Sequence, residues 1–178
     1  PDHLRSEIKG RIDRLAEQAR TGAETSITIK VNALIDPEMI ATLDRAAEAG
    51  VSIDLIVRGM CGLLPNPARH GTRLRIRSVI GDYLEHSRIY RFAGPGGAET
   101  YAGSADLMER NLDRRVEVLF PLEEGEVRRK VDEILAALLA DTSNAWELQP
   151  DGAWERLTET GNSSFETLRQ VAIAASQA

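Results

Sequence analysis

Two strand-like runs separated by a helix with a strong start signal constrain the fold of this chain more than any other feature. Thr25–Val31 is rich in β-branched residues and alternates in polarity, and Val51–Val57 is a second, more apolar run. Between them, the letters DPE at 36–38 supply a capping oxygen, a proline for the first turn and an acid at the positive end of the helix dipole. They predict a helix that continues to Ala49 and ends at Gly50. This unit implies a right-handed crossover between parallel strands, and therefore an α/β domain.

The rest of the chain continues the mixture of helices and strands. Apolar residues recur at helical spacing in three further segments, and four more segments resemble strands. GPGG at 94–97 indicates a hairpin turn, and PDG at 150–152 indicates the turn of a second, smaller hairpin. Together these segments predict a single domain with one mixed β-sheet flanked by helices. The further helices are predicted over 4–20, 126–139 and 163–176, and the further strands over 74–80, 87–92, 99–102 and 115–120.

The basic residues are concentrated in the middle of the chain and are mostly arginine. The whole sequence has a net charge of −6, which disfavours non-specific binding to nucleic acid. The stretch from Arg58 to Arg115 nevertheless holds ten arginines against six acidic residues, a net charge of +4. Because the guanidinium fork matches the oxygens of a phosphate group in a bidentate way, this clustering indicates a phosphate-binding region.

Composition argues against several classes of protein. The chain is 42% hydrophobic and 28% charged, which is typical of a folded domain and not of a disordered one. Its longest apolar run, Ile134–Ala140, is far shorter than the ~18 residues that suggest a membrane span. Cys61 is the single cysteine, so the fold does not depend on an internal disulfide. We expect a cytoplasmic protein, and a peripheral contact with a membrane stays open.

His86 is the histidine that the sequence singles out. His3 lies beside the amino end and His70 lies in a loop rich in proline and glycine, and neither has a partner residue at useful spacing. His86 precedes a predicted strand and Arg88 follows two residues later, so both side chains are expected on the same face. An imidazole can attack phosphorus or transfer a proton, and a guanidinium can bind the phosphoryl oxygens. The pair therefore suits phosphoryl chemistry, although its spacing alone also fits a structural pair.

A polar segment follows the next predicted strand and strengthens the functional interpretation. Gly103 and Ser104 can form a tight turn whose backbone N–H groups face an anion. Arg110 and Arg115 add positive charge, and Glu117 could fix the tautomer of a nearby histidine by accepting its other N–H. Polar residues grouped so closely after an apolar strand cost stability unless they have partners, and a functional site supplies a reason for them.

The residues from 86 onward resemble the half-site of the phospholipase D-type superfamily. The series H-x-R, Y-x-G-S-A-D and R-N-x-D-x-R-x-E follows the order of its histidine motif and its Gly-Ser turn. Arg88 stands where that superfamily has lysine, and Asp106 stands where it has asparagine. These departures disfavour hydrolysis of a phosphodiester. The resemblance implies a phospholipase D-like fold for the domain.

Three longer segments closely resemble the last domain of bacterial polyphosphate kinases. They read LIVRGMCGLLPNP, IRSVIGDYLEHSRIY and YAGSADLMERNLDRRVEVLFPL, and the likeness extends at least from Ile27 to Gly152. It implies one domain over 1–178, with 145–178 as a C-terminal extension. It also implies reversible phosphoryl transfer between ATP and inorganic polyphosphate, with Mg²⁺ brought by the nucleotide or held by other domains.

The same resemblance implies that this chain holds half of an active site and is inactive alone. The family works through a phosphohistidine that belongs to a preceding domain. By the motif match, Arg58 and Arg115 correspond to arginines that bind phosphate groups, and His86 corresponds to a second active-site histidine that acts as acid or base. Four residues are added from the physical argument alone, three as phosphate ligands and the last as an orienting residue: Arg88, Arg110, Ser104 and Glu117.

The partners implied are ATP or ADP, inorganic polyphosphate, the preceding domains of the same enzyme and further copies of the full-length protein, but no nucleic acid. Two other functions stay open at this point. A stand-alone phospholipase D-like protein would pair as a homodimer, with one His86 from each copy, and would cleave phosphodiesters. A non-catalytic module that binds polyanions would keep the arginines and would tolerate the loss of His86.

Overall fold

The computed structural model of the chain describes residues 3–81, 85–157 and 161–176. Among these residues no helix is both long and apolar enough to cross a membrane. The helices are α1 (Leu4–Arg20), α2 (Pro37–Glu48), α3 (Pro67–His70), α4 (Glu126–Leu139) and α5 (Ser164–Ser176), and Arg110–Arg114 form a short π-helix. The strands are β1 (Ser26–Val31), β2 (Ser52–Val57), β3 (Leu74–Val79), β4 (Arg88–Gly94), β5 (Gly97–Gly103), β6 (Leu119–Pro121), β7 (Ala145–Leu148) and β8 (Trp154–Arg156).

The eight strands described form one mixed sheet in the order β6-β5-β4-β1-β2-β3-β7-β8. β1, β2 and β3 are parallel, with Val31 opposite Val57. The later strands pair antiparallel with their neighbours. β1 and β2 occupy the centre of the sheet, as expected for such apolar sequences. The predicted class, an α/β domain with one mixed sheet flanked by helices, is confirmed.

Alternate residues of the central strands face two separate cores. Leu55 and Val57 of β2 belong to a core that also contains apolar residues of α1 and α2. Ile56 points the other way and packs with Leu135 and Leu138 of α4. This alternation follows from the two-residue period of a strand. It buries both faces of the sheet between two layers of helices.

The N-terminus of α2 has the cap that its sequence predicted. The side chain of Asp36 accepts a hydrogen bond from the backbone N–H of Met39 over 3.0 Å, and Pro37 occupies the first turn. Arg5 of α1 donates two hydrogen bonds of 2.7 Å to Asp36 and two, of 2.8 and 2.5 Å, to Asp113 in the π-helix. Arg5 therefore ties α1 both to α2 and to the segment that leads into β6.

The carboxyl ends of the parallel strands β1, β2 and β3 all lie along one side of the sheet, perpendicular to its outermost strands. We call this side the carboxyl edge. β1 and β2 end there at Val31 and Val57. Because β4 is antiparallel to β1, its first residue, Arg88, also lies at this edge. β5 ends there at Gly103, which is paired with Leu119 at the start of β6. The loops that follow β1, β2 and β5 and those that precede β4 and β6 therefore meet at the carboxyl edge.

Both predicted hairpins are present. β4 and β5 pair as far as Gly94 and Gly97, so residues 95–96 alone form the turn. Gly97 has a φ of 101°, a backbone conformation that glycine adopts without a steric penalty. β7 and β8 form the second hairpin, and β7 also pairs with β3. The segment predicted as a C-terminal extension from residue 145 therefore begins inside the main sheet.

The predicted strand over 115–120 is wrong for most of its length. β6 includes only Leu119–Pro121. Val116 and Val118, which gave the segment its alternating pattern, are 87% and 56% exposed. The alternation therefore does not mark a face that packs on a core. The neighbouring strand β5 ends at Gly103, so regular pairing begins only at Leu119.

Candidate functional site

The side chains of His86 and Arg88 meet at the carboxyl edge, as their spacing predicted. Arg88 Nη1 lies 2.8 Å from His86 Nδ1 and also donates to the backbone carbonyl of His86 over 3.0 Å. His86 is exposed, whereas only 15% of the Arg88 side chain is accessible. A guanidinium can only donate hydrogen bonds, so Nδ1 of His86 is the acceptor in this contact.

A buried carboxylate holds the guanidinium of Arg88. Asp106 accepts from Arg88 Nε over 3.2 Å and from Nη2 over 3.0 Å, which makes a bidentate ion pair. Asp106 also accepts from the backbone N–H of Asn32, directly after β1, over 2.7 Å. Burial alone would raise the pKa of Asp106, but the hydrogen bonds from Arg88 and Asn32 outweigh it and lower that pKa. Asp106 is therefore an ionised anchor at neutral pH.

Lys30 of β1 fixes the segment around His86. Its side chain is buried and forms an ion pair with Glu85, and its Nζ donates to the carbonyl oxygen of Ser87 over 3.0 Å. Glu85 also accepts from the backbone N–H of Ser87 over 3.0 Å. Burial lowers the pKa of Lys30; it would raise the pKa of Glu85, but hydrogen bonds from Lys30 and Ser87 lower that pKa overall. The residues on both sides of His86 are thus tied to the central strand.

Arg58 lies at the same edge, directly after β2. Its backbone N–H donates to the carbonyl of Val31 at the end of β1 over 3.2 Å. Burial is the main cause of the lowered pKa of Lys30, and the positive charges of Arg58 and Arg88 both add to it. Both guanidinium groups are therefore within electrostatic reach of this ammonium group. Arg58, Lys30 and Glu85 also line one narrow cavity, so the predicted proximity of Arg58 to the His86 segment is present in the structure.

Ser104 and Glu117 have partners other than those predicted. The backbone N–H of Ser104 donates to the carbonyl of Val118 over 3.0 Å, because contact between the two chain segments continues one residue past the end of β5. The hydroxyl of Ser104 donates to Glu117, which also accepts from Asn111 Nδ2 over 2.6 Å. The backbone N–H of Ser104 is therefore not available to an anion, contrary to what the sequence suggests. Glu117 orients Ser104 and Asn111 instead of His86.

Arg88 also differs from its prediction as a phosphate ligand. Its Nε, Nη1 and Nη2 atoms all donate within the protein, to Asp106 or to His86. Recognition of a phosphate by the guanidinium fork would compete with these contacts, and the buried carboxylate would then lose its partner. Among the described residues, the hydrogen-bond partner of His86 Nδ1 is Arg88, whereas Glu117 bonds to Ser104 and Asn111.

Arg110 and Arg115 lie in the segment that leads into β6. Arg110 begins the π-helix and Arg115 follows it directly, three residues before Val118, whose N–H donates to Ser104 Oγ over 3.2 Å. Both arginines are exposed, and within the described ranges neither side chain has a hydrogen bond or an ion pair. Neither forms a hydrogen bond with His86 in that part of the chain. Their guanidinium groups are accessible to an anion, and their role as phosphate ligands stays a prediction.

The remaining histidines and the cysteine lie in differing surroundings, and His70 has partners that the sequence did not indicate. His70 is fully buried, with Nδ1 accepting from the backbone N–H of Asn66 over 3.1 Å and Nε2 lying 2.9 Å from Asp44. His3 is exposed at the start of α1. Burial raises the pKa of the Cys61 thiol, which disfavours the reactive thiolate. These residues are therefore not candidates for the chemistry of the carboxyl edge.

The described residues do not fit a dedicated Mg²⁺ site. Over 3–81, 85–157 and 161–176, no three His, Cys, Asp or Glu side chains are grouped so as to hold a metal ion. Two carboxylates near His86, those of Glu85 and Asp106, are already paired with Lys30 and Arg88. Because Mg²⁺ needs several oxygen ligands in near-octahedral geometry, we assign it no ligand among the described residues.

Sequence reasoning assigns no role to four residues of this edge. A role for Lys30 could be predicted, because a lysine inside the apolar strand TSITIKV needs a partner for its charge if it is buried. Asn32, directly after β1, and Asn111, in the π-helix, carry no comparable signal, because asparagine is common outside strands and helices of the core. The four residues are Lys30, Asn32, Glu85 and Asn111.

The sequence of this chain is similar to those of polyphosphate kinases. Residues 1–167 match the family model described as polyphosphate kinase C-terminal domain 2. The polyphosphate kinase of Pseudomonas aeruginosa is 46% identical over 162 residues, which cover 91% of this chain and 24% of that protein. The polyphosphate kinase of Synechocystis sp. is 46% identical over 154 residues, which cover 86% of this chain and 21% of that protein. The chain thus spans about a quarter of the length of these curated relatives.

One solved structure is similar to nearly the whole chain in sequence and fold, and another is similar in fold alone. The crystal structure of polyphosphate kinase from Porphyromonas gingivalis matches 98% of this chain and 27% of that chain, with a TM-score of 0.90 and 31% sequence identity. Nuc from Salmonella typhimurium, a phospholipase D family member, matches 76% of this chain and 89% of that chain, with a TM-score of 0.51 and 13% identity. The second likeness concerns the fold alone. The predicted phospholipase D-like fold is confirmed.

Proposed function

This chain belongs to the polyphosphate kinase family, as its C-terminal domain 2, and from that membership we propose that it contributes half of an active site for phosphoryl transfer between ATP and inorganic polyphosphate. Its share of about a quarter of the length of its relatives fits a half-site that other domains complete. In this proposal, the histidine that carries the phosphoryl group between donor and acceptor belongs to one of those other domains.

The observation that carries this proposal is the meeting of His86, Arg88 and Arg58 at the carboxyl edge. The segment around His86 is held by Lys30, its imidazole is held by Arg88, and Arg58 lies within reach of the same lysine. Phosphoryl transfer depends mainly on positioning of the reactants and on neutralisation of phosphate charge. The contacts of Lys30 and Arg88 supply the positioning of His86, and the guanidinium of Arg58 supplies positive charge beside it.

Three arginines and the histidine take different roles in this site. Arg58, Arg110 and Arg115 bind the oxygens of the nucleotide phosphates or of the polymer, since a guanidinium fork matches those oxygens. His86 contacts the phosphoryl group during transfer. Mg²⁺ accompanies the nucleotide or is held by other domains, and when bound it neutralises charge on the phosphates. Binding of the polymer is expected to weaken strongly with salt, because polyphosphate has the dense charge of a nucleic-acid strand.

Substitution of His86 in the full-length enzyme tests this function. His86→Ala is expected to lower the synthesis of polyphosphate from radiolabelled ATP by at least ~10²-fold, the contribution of a positioned histidine. Polyphosphate binding at low salt should stay close to that of the wild type, because the arginines remain. His3→Ala is the matched control, since His3 is exposed and lies at the start of α1. Undiminished synthesis by His86→Ala would show that the chain is a non-catalytic polyanion-binding module.

The alternative function is that of a stand-alone phosphodiesterase, and the likeness of the fold to that of Nuc is the observation that favours it. Its test uses the chain of 178 residues alone. We expect this chain to bind polyphosphate weakly and to turn over neither ATP nor a phosphodiester. Cleavage of bis(p-nitrophenyl) phosphate by the wild-type chain, with loss of that activity in His86→Ala, would favour the phosphodiesterase instead.

A further inference from the structure

The contact at Nδ1 of His86 determines which chemistry this histidine can perform. Each nitrogen of an imidazole either carries a hydrogen or offers a lone pair. Arg88 Nη1 lies 2.8 Å from Nδ1, and a guanidinium has only hydrogens to offer and stays charged at any accessible pH. The contact is a hydrogen bond only if Nδ1 offers its lone pair. The hydrogen of the neutral ring therefore lies on Nε2.

We propose that Arg88 is a positioning residue that keeps His86 as an Nε2–H hydrogen-bond donor, so that His86 donates to a phosphoryl oxygen and does not attack phosphorus. With Nδ1 occupied by Arg88 and a hydrogen on Nε2, neither nitrogen has a lone pair available for a bond to phosphorus. The identity of the anion rests on the proposed function, whereas the state of the ring follows from its contacts.

The guanidinium is held in place firmly enough for this role. Two of its nitrogens donate to Asp106, which is itself buried and accepts from the backbone N–H of Asn32 over 2.7 Å. If Arg88 turned away from His86, it would leave this carboxylate uncompensated in a buried position, which is costly. The orientation of Arg88 is therefore set by the interior of the domain.

The backbone of the histidine is fixed as well. Lys30 and Glu85 hold the residues directly before and after His86 to β1. The main chain and Nδ1 of His86 are thus both engaged, while the side chain remains exposed. Nε2–H is accordingly the group that His86 presents to a ligand.

Nitrogen NMR of the ¹⁵N-labelled chain tests the state of the ring, at a pH where its histidines are neutral. We expect His86 to show an unprotonated Nδ1 and a protonated Nε2. His70 is an internal reference for this pattern, because its Nδ1 accepts from the backbone N–H of Asn66. His3, whose side chain is exposed, should show the averaged signals of two exchanging tautomers.

The double variant Arg88→Met/Asp106→Asn removes the donor without leaving a buried carboxylate unpaired. In this variant, His86 is expected to change to the averaged pattern of His3. Arg91→Met is the matched control, because Arg91 lies on the same strand but contacts Asp132 over 3.5 Å; its His86 signals should stay as in the wild type. An averaged His86 in the wild type, or an unchanged His86 in the double variant, would overturn the proposal.

Chemical phosphorylation supplies a second readout that does not depend on kinase activity. Phosphoramidate transfers its phosphoryl group to a histidine nitrogen with a lone pair and releases ammonia. With the products mapped by mass spectrometry, we expect labelling of exposed His3, and none of buried His70 or of His86, in the wild type. The double variant should become labelled at His86. Labelling of wild-type His86 as fast as His3 contradicts the proposal, whatever the outcome of the kinase assays.

Discussion

The ammonium group of Lys30 is paired with the carboxylate of Glu85, and only 4% of the lysine side chain is exposed. The pair joins the centre of the sheet to the residue directly before His86. When one member of a buried ion pair is removed, the other charge is left without compensation, and the loss exceeds the net contribution of the intact pair. The positioning of the histidine and the stability of the fold therefore depend on the same contact.

Lys30→Met is expected to lower the free energy of unfolding by about 3 kcal/mol, the lower end of the range for a broken buried pair, because Glu85 is partly exposed. Urea unfolding followed by circular dichroism measures this loss. The double variant Lys30→Met/Glu85→Gln should recover a large part of it, because no charge is then left unpaired. A double variant as unstable as Lys30→Met would show that the ion pair is not the cause.

Asp106→Asn is expected to make the stability of the chain less sensitive to acid. Burial would raise the pKa of Asp106, but hydrogen bonds from Arg88 and Asn32 lower it in the folded state. In the unfolded chain the pKa of an aspartate is about 4, so the unfolded chain binds more protons in acid than the folded chain does. The stabilisation that the ionised Asp106 carboxylate supplies is complete at pH values above its pKa in the unfolded chain. It is lost as the pH falls through the lower pKa of the folded state.

Urea midpoints measured from neutral pH to about pH 3 test this dependence on Asp106. The wild type should be more stable than Asp106→Asn at neutral pH, and the difference should shrink in acid. A difference that stays constant over the whole range would contradict the prediction.

Arg5→Met is expected to destabilise the chain by about 1.5–3 kcal/mol, the range for hydrogen bonds to charged groups. Arg5 bonds to Asp36, which is 2% exposed, and to Asp113 in the π-helix, so the change leaves the buried cap of α2 without its cation. Thermal unfolding followed by circular dichroism measures the effect. Arg20→Met is the control, because the pair of Arg20 with Glu17 is exposed, and it should cost less than about 0.5 kcal/mol. Equal effects of the two changes would contradict the role of Arg5.

Gly103→Ala is expected to disrupt the contact between β5 and β6. A Cβ atom at this position would lie 2.0 Å from the carbonyl oxygen of Val118, which is backbone and cannot move without moving β6. We expect a loss of about 1–3 kcal/mol, as for overpacking, and faster hydrogen exchange of the Ser104 amide. Gly96→Ala, in the turn at the other end of β5, is the control, because nothing lies within 4 Å of its added Cβ. The stability of this variant and the exchange of its Ser104 amide should be close to those of the wild type. Unchanged exchange at Ser104 in Gly103→Ala would contradict this account.

Arg58→Lys in the full-length enzyme is expected to lower polyphosphate synthesis by on the order of 10³-fold, as for the loss of a well-placed arginine. The substitution keeps the charge but loses the bidentate fork. Arg73→Lys is the control, because Arg73 is exposed and lies directly before the start of β3, at the opposite edge of the sheet. Initial rates with radiolabelled ATP measure both variants. Full activity of Arg58→Lys would show that the guanidinium of Arg58 does not bind phosphate in the reaction.

Local patterns in the sequence predict most of the fold. The start of α2 follows from three letters, since Asp36 caps the helix and Pro37 occupies its first turn. The central strands follow from their apolar, β-branched sequences. The strand expected over 115–120 fails because alternation describes side chains, whereas a strand also needs a neighbour with which to pair, and β5 ends at Gly103.

The site is predictable where it depends on short spacing and not where it depends on pairing across the chain. His86 and Arg88 meet because they are two residues apart. Arg88 and Asp106 are eighteen residues apart and meet because the hairpin register places Arg88 opposite Gly103, three residues before Asp106. The position of the GPGG turn determines that register and can be read from the sequence. The ion pair also depends on the path of the loop after β5, which cannot.

The sheet of the described strands is open, and it is bordered on both sides by strands of only three residues, β6 and β8. β6 ends in Pro121, which has no N–H to donate, and Glu155 and Arg156 place charge on β8. A long apolar border would invite strands of other molecules to add to the sheet and start aggregation. These short, interrupted borders let the domain keep very apolar central strands and still resist polymerising through its backbone.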